Sequence, residues 1–142
     1  MQEYLDFLQA NPMLTIAWLA IFSGLIVVSI KASLSAVKKI THQQATLLMN
    51  RENAVVIDVR GESEFKQGHI LDSTNVALSK FKNNELTSIE KYKDSPIIVV
   101  CNTGMTASQA CQTLQKQGFS NLHILQGGIT EWRGANLPLT KK

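Results

Sequence analysis

The chain has 142 residues, 44% of them apolar, and a formal charge of +3, which is enough for one ordinary domain and little more. Mean hydropathy is close to zero, yet residues 13–30 contain no Asp, Glu, Lys or Arg, so the average hides a split sequence. This pattern excludes a wholly soluble globule, a disordered tail and a multi-span transporter, and two cysteines exclude a disulfide framework.

Residues 1–12 read as a short N-terminal tail carrying Glu3 and Asp6. Residues 13–30 (MLTIAWLAIFSGLIVVSI) read as a transmembrane helix. Such a helix would span about 27 Å, against a hydrocarbon core of about 30 Å. Pro12 suits a helix start and Trp18 an interface. A cleaved signal peptide would need a basic leading region, and none is present. A buried globular helix would need a second layer that the short chain hardly supplies. Lys31, Lys38 and Lys39 follow the span and no Lys or Arg precedes it, so the positive-inside bias puts the following domain in the cytoplasm.

Residues 31–40 read as a basic linker, and residues 41–142 as the folded domain. Thr41 is an expected N-cap for a helix reaching Asn50. Residues 54–58 (AVVID) form an expected buried strand, residues 62–67 a brief helix stopped by Gly68, and residues 75–77 a second short strand. Helical spacing covers residues 78–92. The clearest strand is 96–100 (PIIVV); residues 104–117 are then helical and 122–125 a strand. Gly127 and Gly128 break the chain before a last short helix around residues 131–133. Strands alternate with helices throughout. The expected class is therefore α/β, an open and mainly parallel sheet flanked by helices and preceded by one transmembrane helix.

Cys101 stands out within this order. It directly follows PIIVV and directly precedes a loop, Asn102-Thr103-Gly104-Met105-Thr106, that turns into a helix. Ligands of open α/β sheets sit beyond the carboxyl ends of strands. A strand–loop–helix joint also directs free backbone N–H groups into the loop, where they stabilise an anionic sulfur. Gly104 lets the loop bend back toward that sulfur. The plain alternative is a small core residue capping the strand. Cys111 fits that alternative well, because Ala107, Ala110, Cys111 and Leu114 recur at the spacing of one helix face.

These residues resemble a rhodanese domain, a sulfurtransferase family, over about residues 41–138. Val56-Ile57-Asp58-Val59-Arg60, then Glu64-Phe65 and Gly68-His69-Ile70, resemble its first signature, and Asn75 fits the position that follows. The loop from Cys101 to Met105 resembles the active-site loop, and Leu125-Gln126-Gly127-Gly128, Trp132 and Pro138 resemble the closing pattern. The resemblance implies that Cys101 takes sulfur from a donor as a persulfide and passes it to a thiol or other nucleophilic acceptor. It implies catalysis by Cys101 within the loop Asn102, Thr103, Gly104, Met105 and Thr106, with Asp58 and Arg60 bracing that loop. It implies no metal and no organic cofactor. His69 is expected to be structural.

The expected protein is thus a single-domain bacterial sulfurtransferase of the cytoplasmic (inner) membrane. Its partners would be a sulfur donor, a thiol or persulfide acceptor, and membrane lipid along residues 13–30; its oligomeric state is left open. Nucleic acid is not an expected partner, because 6% aromatics and dispersed charge offer no binding patch. Many relatives carry arginine in the loop, and here Asn102, Thr106 and Ala107 stand instead. A thiosulfate dianion would lack a charge-assisted partner there, which is typically worth about 1.5–3 kcal/mol. A protein or small persulfide is therefore the expected donor. A phosphatase reading fits poorly, because its phosphate cradle needs arginine where Ala107 stands. The rival reading is a membrane-tethered binding module of the same fold with little or no catalysis.

Overall fold

Proline cannot donate the bond that continues a helix, and Pro12 accordingly splits the N-terminal unit, residues 1–34, into two helices. The computed structural model describes residues 2–34 and 37–141. Helix α1 (Gln2–Ala10) occupies most of the expected tail; no Gly or Pro interrupts it, and Glu3 suits its first turn. The Asn11 N–H still donates to Phe7 O at 3.1 Å, and Thr15 Oγ1 donates to Asn11 O at 3.0 Å. Helix α2 (Pro12–Leu34) has 23 residues, about 35 Å at the helical rise. Its Pro12–Ile30 stretch has a mean hydropathy of 2.4 and is long and apolar enough to cross a membrane. Large side chains along it stay exposed, Leu14 at 61% and Trp18 at 62%, unlike those of a core helix.

Residues 35–142 form the second unit. The basic linker expected over 31–40 is replaced by structure at both ends. Helix α2 runs on to Leu34, and Lys38–Ile40 is the edge strand β1, hydrogen-bonded to a strand some eighty residues later. Met1, the Ser35-Ala36 part of that linker, and Lys142 lie outside the described residues. Helix α3 (His42–Glu52) starts at Thr41 as expected. Gln44 N–H donates to Thr41 Oγ1 at 3.3 Å, and Thr41 N–H donates back to Gln44 Oε1 at 3.0 Å.

Strand β2 (Val55–Asp58), helix α4 (Glu62–Gln67) and strand β3 (Thr74–Asn75) follow. The helix expected over 78–92 breaks into α5 (Leu78–Lys82) and a single 3-10 turn, Glu90–Tyr92. Asn84 turns the chain left-handed at φ 57°, and Leu86 and Ile89 reach the core from irregular backbone. Strand β4 (Ile97–Val100), helix α6 (Met105–Lys116), strand β5 (Leu122–Leu125) and helix α7 (Gly128–Gly134) complete the order.

All five strands are parallel, in the order β1-β5-β4-β2-β3. Helices cover both faces, so β4 and β5 are apolar on successive residues rather than alternate ones. Ile57, Ile97, Val99, Leu122 and Ile124 meet α5 and α6 on one face. Val56, Ile98, Val100 and Leu125 meet α3 and α7 on the other. His123 is the polar exception within β5. Its Nε2 lies 2.9 Å from Asn121 Oδ1, and burial, then nearby Lys38, hold its pKa below the ordinary imidazole value.

Candidate active site

Strand β4 ends at Val100 in the middle of the sheet, and Cys101 is the next residue. By strand alternation its side chain follows Ile97 and Val99 onto the α6 face, where it is 3% exposed. The chain then turns through Asn102 and Thr103, both exposed, to Gly104. Gly104 adopts φ 94°, a left-handed conformation that side chains resist, and its N–H donates to Cys101 Sγ at 2.9 Å. Met105, 80% exposed, and half-buried Thr106 begin α6, whose free N-terminal N–H groups face the same loop.

Helix α7 holds the other side of the loop. Ile129 N–H donates to Cys101 O at 2.9 Å, and Thr130 N–H donates to Asn102 O at 3.1 Å. The two loop carbonyls thus satisfy orphan donors of α7, while the Gly104 N–H reaches the sulfur. This close approach requires Gly128. It has φ 56°, and a Cβ on it would overlap the Cys101 carbonyl oxygen and lie 2.6 Å from Asn102 O. The paired glycines do more than interrupt the chain, as their sequence position alone implies; Gly128 belongs to the site.

Asp58 and Arg60 brace the neighbouring strand end. Arg60 Nη2 donates to Asp58 Oδ2 at 2.7 Å and to Gly68 O at 2.8 Å, and both side chains are buried. Asn75 Nδ2 donates to Asp58 O at 3.1 Å and Arg60 O at 2.9 Å. Since Asp58 pairs with Val100 in the sheet, this network adjoins the residue before Cys101. The guanidinium is committed to Asp58 and cannot serve as a free cation. Removing either member of such a buried pair leaves an unmatched charge, at a typical cost of about 3–5 kcal/mol. His69 Nδ1 donates to Phe65 O at 2.8 Å while its ring stacks on Phe65, and none of His42, His69 or His123 lines a cavity at the loop.

Two cavities flank the loop. One, of about 250 Å³, is lined by Arg60, Glu64, Asn102 and Arg133 among others, and Asn102 Nδ2 donates to Glu64 Oε1 at 2.7 Å. The other, of about 330 Å³, is lined by Thr103, Gly104, Met105, Ser108, Gln126 and also Lys39. Sequence reasoning misses Lys39 at the site, because residues 38–40 lack the apolar run that marks the central strands. Cys111 is buried in the α6 core, as its spacing predicts. Burial first, and Cys101 second, push its thiol up to about 12. Among the described residues no cluster of three His, Cys, Asp or Glu is placed to hold a metal.

Residues 41–135 match the model of the rhodanese-like domain. The chain belongs to the rhodanese-like domain family. The uncharacterized protein YibN of Escherichia coli K12 is 41% identical over 141 residues, covering 99% of both chains. The thiosulfate sulfurtransferase GlpE of Pseudoalteromonas translucida is 34% identical over 103 residues, covering 70% of this chain and 92% of its own. Among solved structures, a rhodanese-related protein of Thermoplasma volcanium superposes at TM-score 0.62 with 26% identity, covering 74% of this chain and 99% of that one. A thiosulfate sulfurtransferase of Pseudomonas aeruginosa gives TM-score 0.64 at 31% identity over 75% of this chain and 20% of that longer one. The matched residues hold strands β2 to β5 of the parallel sheet, and Asp58, Arg60, Gly68 and Asn75 become one hydrogen-bonded network there.

Proposed function

We propose that this protein is a membrane-anchored sulfurtransferase that carries sulfane sulfur on Cys101. The observation that carries the reading is the Gly104 N–H aimed at Cys101 Sγ at 2.9 Å beyond the central strand. The Cys101 thiolate attacks the outer sulfur of a donor. The donor's bond to that sulfur breaks, its electron pair leaves with the remainder of the donor, and Cys101 holds a persulfide. Loop N–H groups stabilise the sulfur anion before and after transfer, in the manner of an oxyanion hole. An acceptor thiolate then attacks the terminal sulfur and releases the Cys101 thiolate, so the reaction is ping-pong. Family membership and the similarity to GlpE support the reaction class.

The test is direct. The full chain, treated with a sulfur donor and digested, should show one extra sulfur on the Cys101 peptide, removable by cyanide or a thiol. A binding module that merely kept the fold would show none.

For location, we propose a single span with the rhodanese-like domain in the cytoplasm of a bacterial cell. The exposed apolar length of α2 and the lysines confined to its C-terminal side support this. The protein should sediment with the inner membrane, and protease added to intact spheroplasts should leave the domain uncut. Digestion of the domain in intact spheroplasts would reverse the orientation.

A further inference from the structure

The loop itself carries no cation, yet Lys39 lines the 330 Å³ cavity together with Thr103, Gly104 and Gln126. Lys39 lies opposite Ile124 in the register of β1 and β5, so its side chain rises on the α6 face, as that of Cys101 does. Gly104 links the two, since it both lines this cavity and donates to Cys101 Sγ. Among the described residues Lys39 is exposed and has no carboxylate partner, whereas Arg60 is held by Asp58 and Lys66 by Glu62. The cavity's lining includes no carboxylate, while the smaller cavity across the loop includes Glu64. Glu131, whose side chain covers Gly127, lies 3.8 Å from His42 Nδ1 and is not part of the lining. The cavity is near the lower limit of ligand pockets, about 300 Å³, which suits a small molecule rather than a protein segment.

We propose that Lys39 is the anion-recognition residue of this site and selects small sulfur donors bearing an anionic group beside the transferred sulfur. This rests on the sulfur-transfer reading of Cys101. Lys39 precedes the residues matched by the family model, 41–135, so the charge comes from an element outside the matched domain. With thiosulfate, the Cys101 thiolate attacks the outer sulfur, the S–S bond breaks, and sulfite departs with the electron pair. One sulfur stays on Cys101 as a persulfide anion, and no oxidant or proton is consumed. The Lys39 ammonium, the Thr103 and Ser108 hydroxyls and the Gln126 amide hold the sulfonate oxygens throughout.

The full chain in detergent should be loaded with thiosulfate and, separately, with a hydroxyalkyl persulfide, which has no anionic group beyond its sulfur. Lys39→Gln should raise the KM for thiosulfate about tenfold relative to the persulfide, as loss of one charge-assisted contact predicts. Lys39→Arg should restore most of the preference. Lys38→Gln, the same charge change on the opposite face of the same strand, should leave it intact. Added salt should weaken thiosulfate loading of the wild type and have far less effect on Lys39→Gln. Equal thiosulfate KM values for Lys39→Gln and Lys38→Gln, with Cys101 still loading, would overturn the role of Lys39 alone. Failure of Cys101 to load from either donor would overturn the sulfur-transfer reading and this proposal with it.

Discussion

Cys101→Ser is expected to take up no sulfur from any donor, while Cys111→Ser retains nearly all of the wild-type loading. A serine hydroxyl cannot form a persulfide, and the nearly equal size of the two side chains should leave the fold intact. Cys111 is 1% exposed and its thiol is pushed up to about 12, burial being the larger cause. At neutral pH only about one part in 10⁵ of such a thiol is ionised, and the thiolate is the nucleophile. Mass spectrometry of donor-treated variants, with circular dichroism to verify folding, measures both outcomes. Sulfur found on Cys111 in the Cys101→Ser protein would move the site away from the strand end.

Gly128→Ala should disrupt the loop while leaving every ionisable group and sulfur in place. The added Cβ would overlap the Cys101 carbonyl oxygen and lie 2.7 Å from Asn102 C, so backbone rather than a flexible side chain must move. The left-handed φ of 56° adds its own penalty of about 1–2 kcal/mol for an L residue. A total destabilisation of about 3 kcal/mol is expected, within the range for strain at a special backbone position. Either the bonds from Ile129 and Thr130 to the loop carbonyls break, or the loop rotates and Gly104 N–H leaves Sγ. Persulfide loading in the still-folded protein should therefore fall by at least about tenfold. Gly134→Ala, in the same helix with nothing within 4 Å, should cost nothing and serves as the matched control in urea unfolding. Equal stability and loading of the two variants would show that the close approach at Gly128 is not needed.

The layout of the candidate site is legible in the sequence wherever it depends on neighbours along the chain. An apolar run ending in Cys101, a glycine three residues on and a helical face after it define a strand–loop–helix joint by local rules alone. The Thr41 cap and the burial of Cys111 follow from spacings of three and four residues in the same way. The long apolar stretch of α2 needs no partner to be recognised, because its length and hydropathy are properties of one segment.

Tertiary structure decided what depends on partners far apart in the chain. Lys38–Ile40 carries one apolar residue and two lysines, and it becomes a strand only because β5 offers it backbone hydrogen bonds. The helical spacing of residues 78–92 was overridden at Asn84, since a left-handed turn lets Leu86 and Ile89 fill the core without a continuous helix. Gly128 at the loop carbonyls, Arg60 on Gly68 O, and Lys39 in one cavity with Gly104 share this cause. A parallel sheet joins strands through long crossovers, so groups distant in sequence meet at its carboxyl edge, and sequence spacing cannot register that meeting.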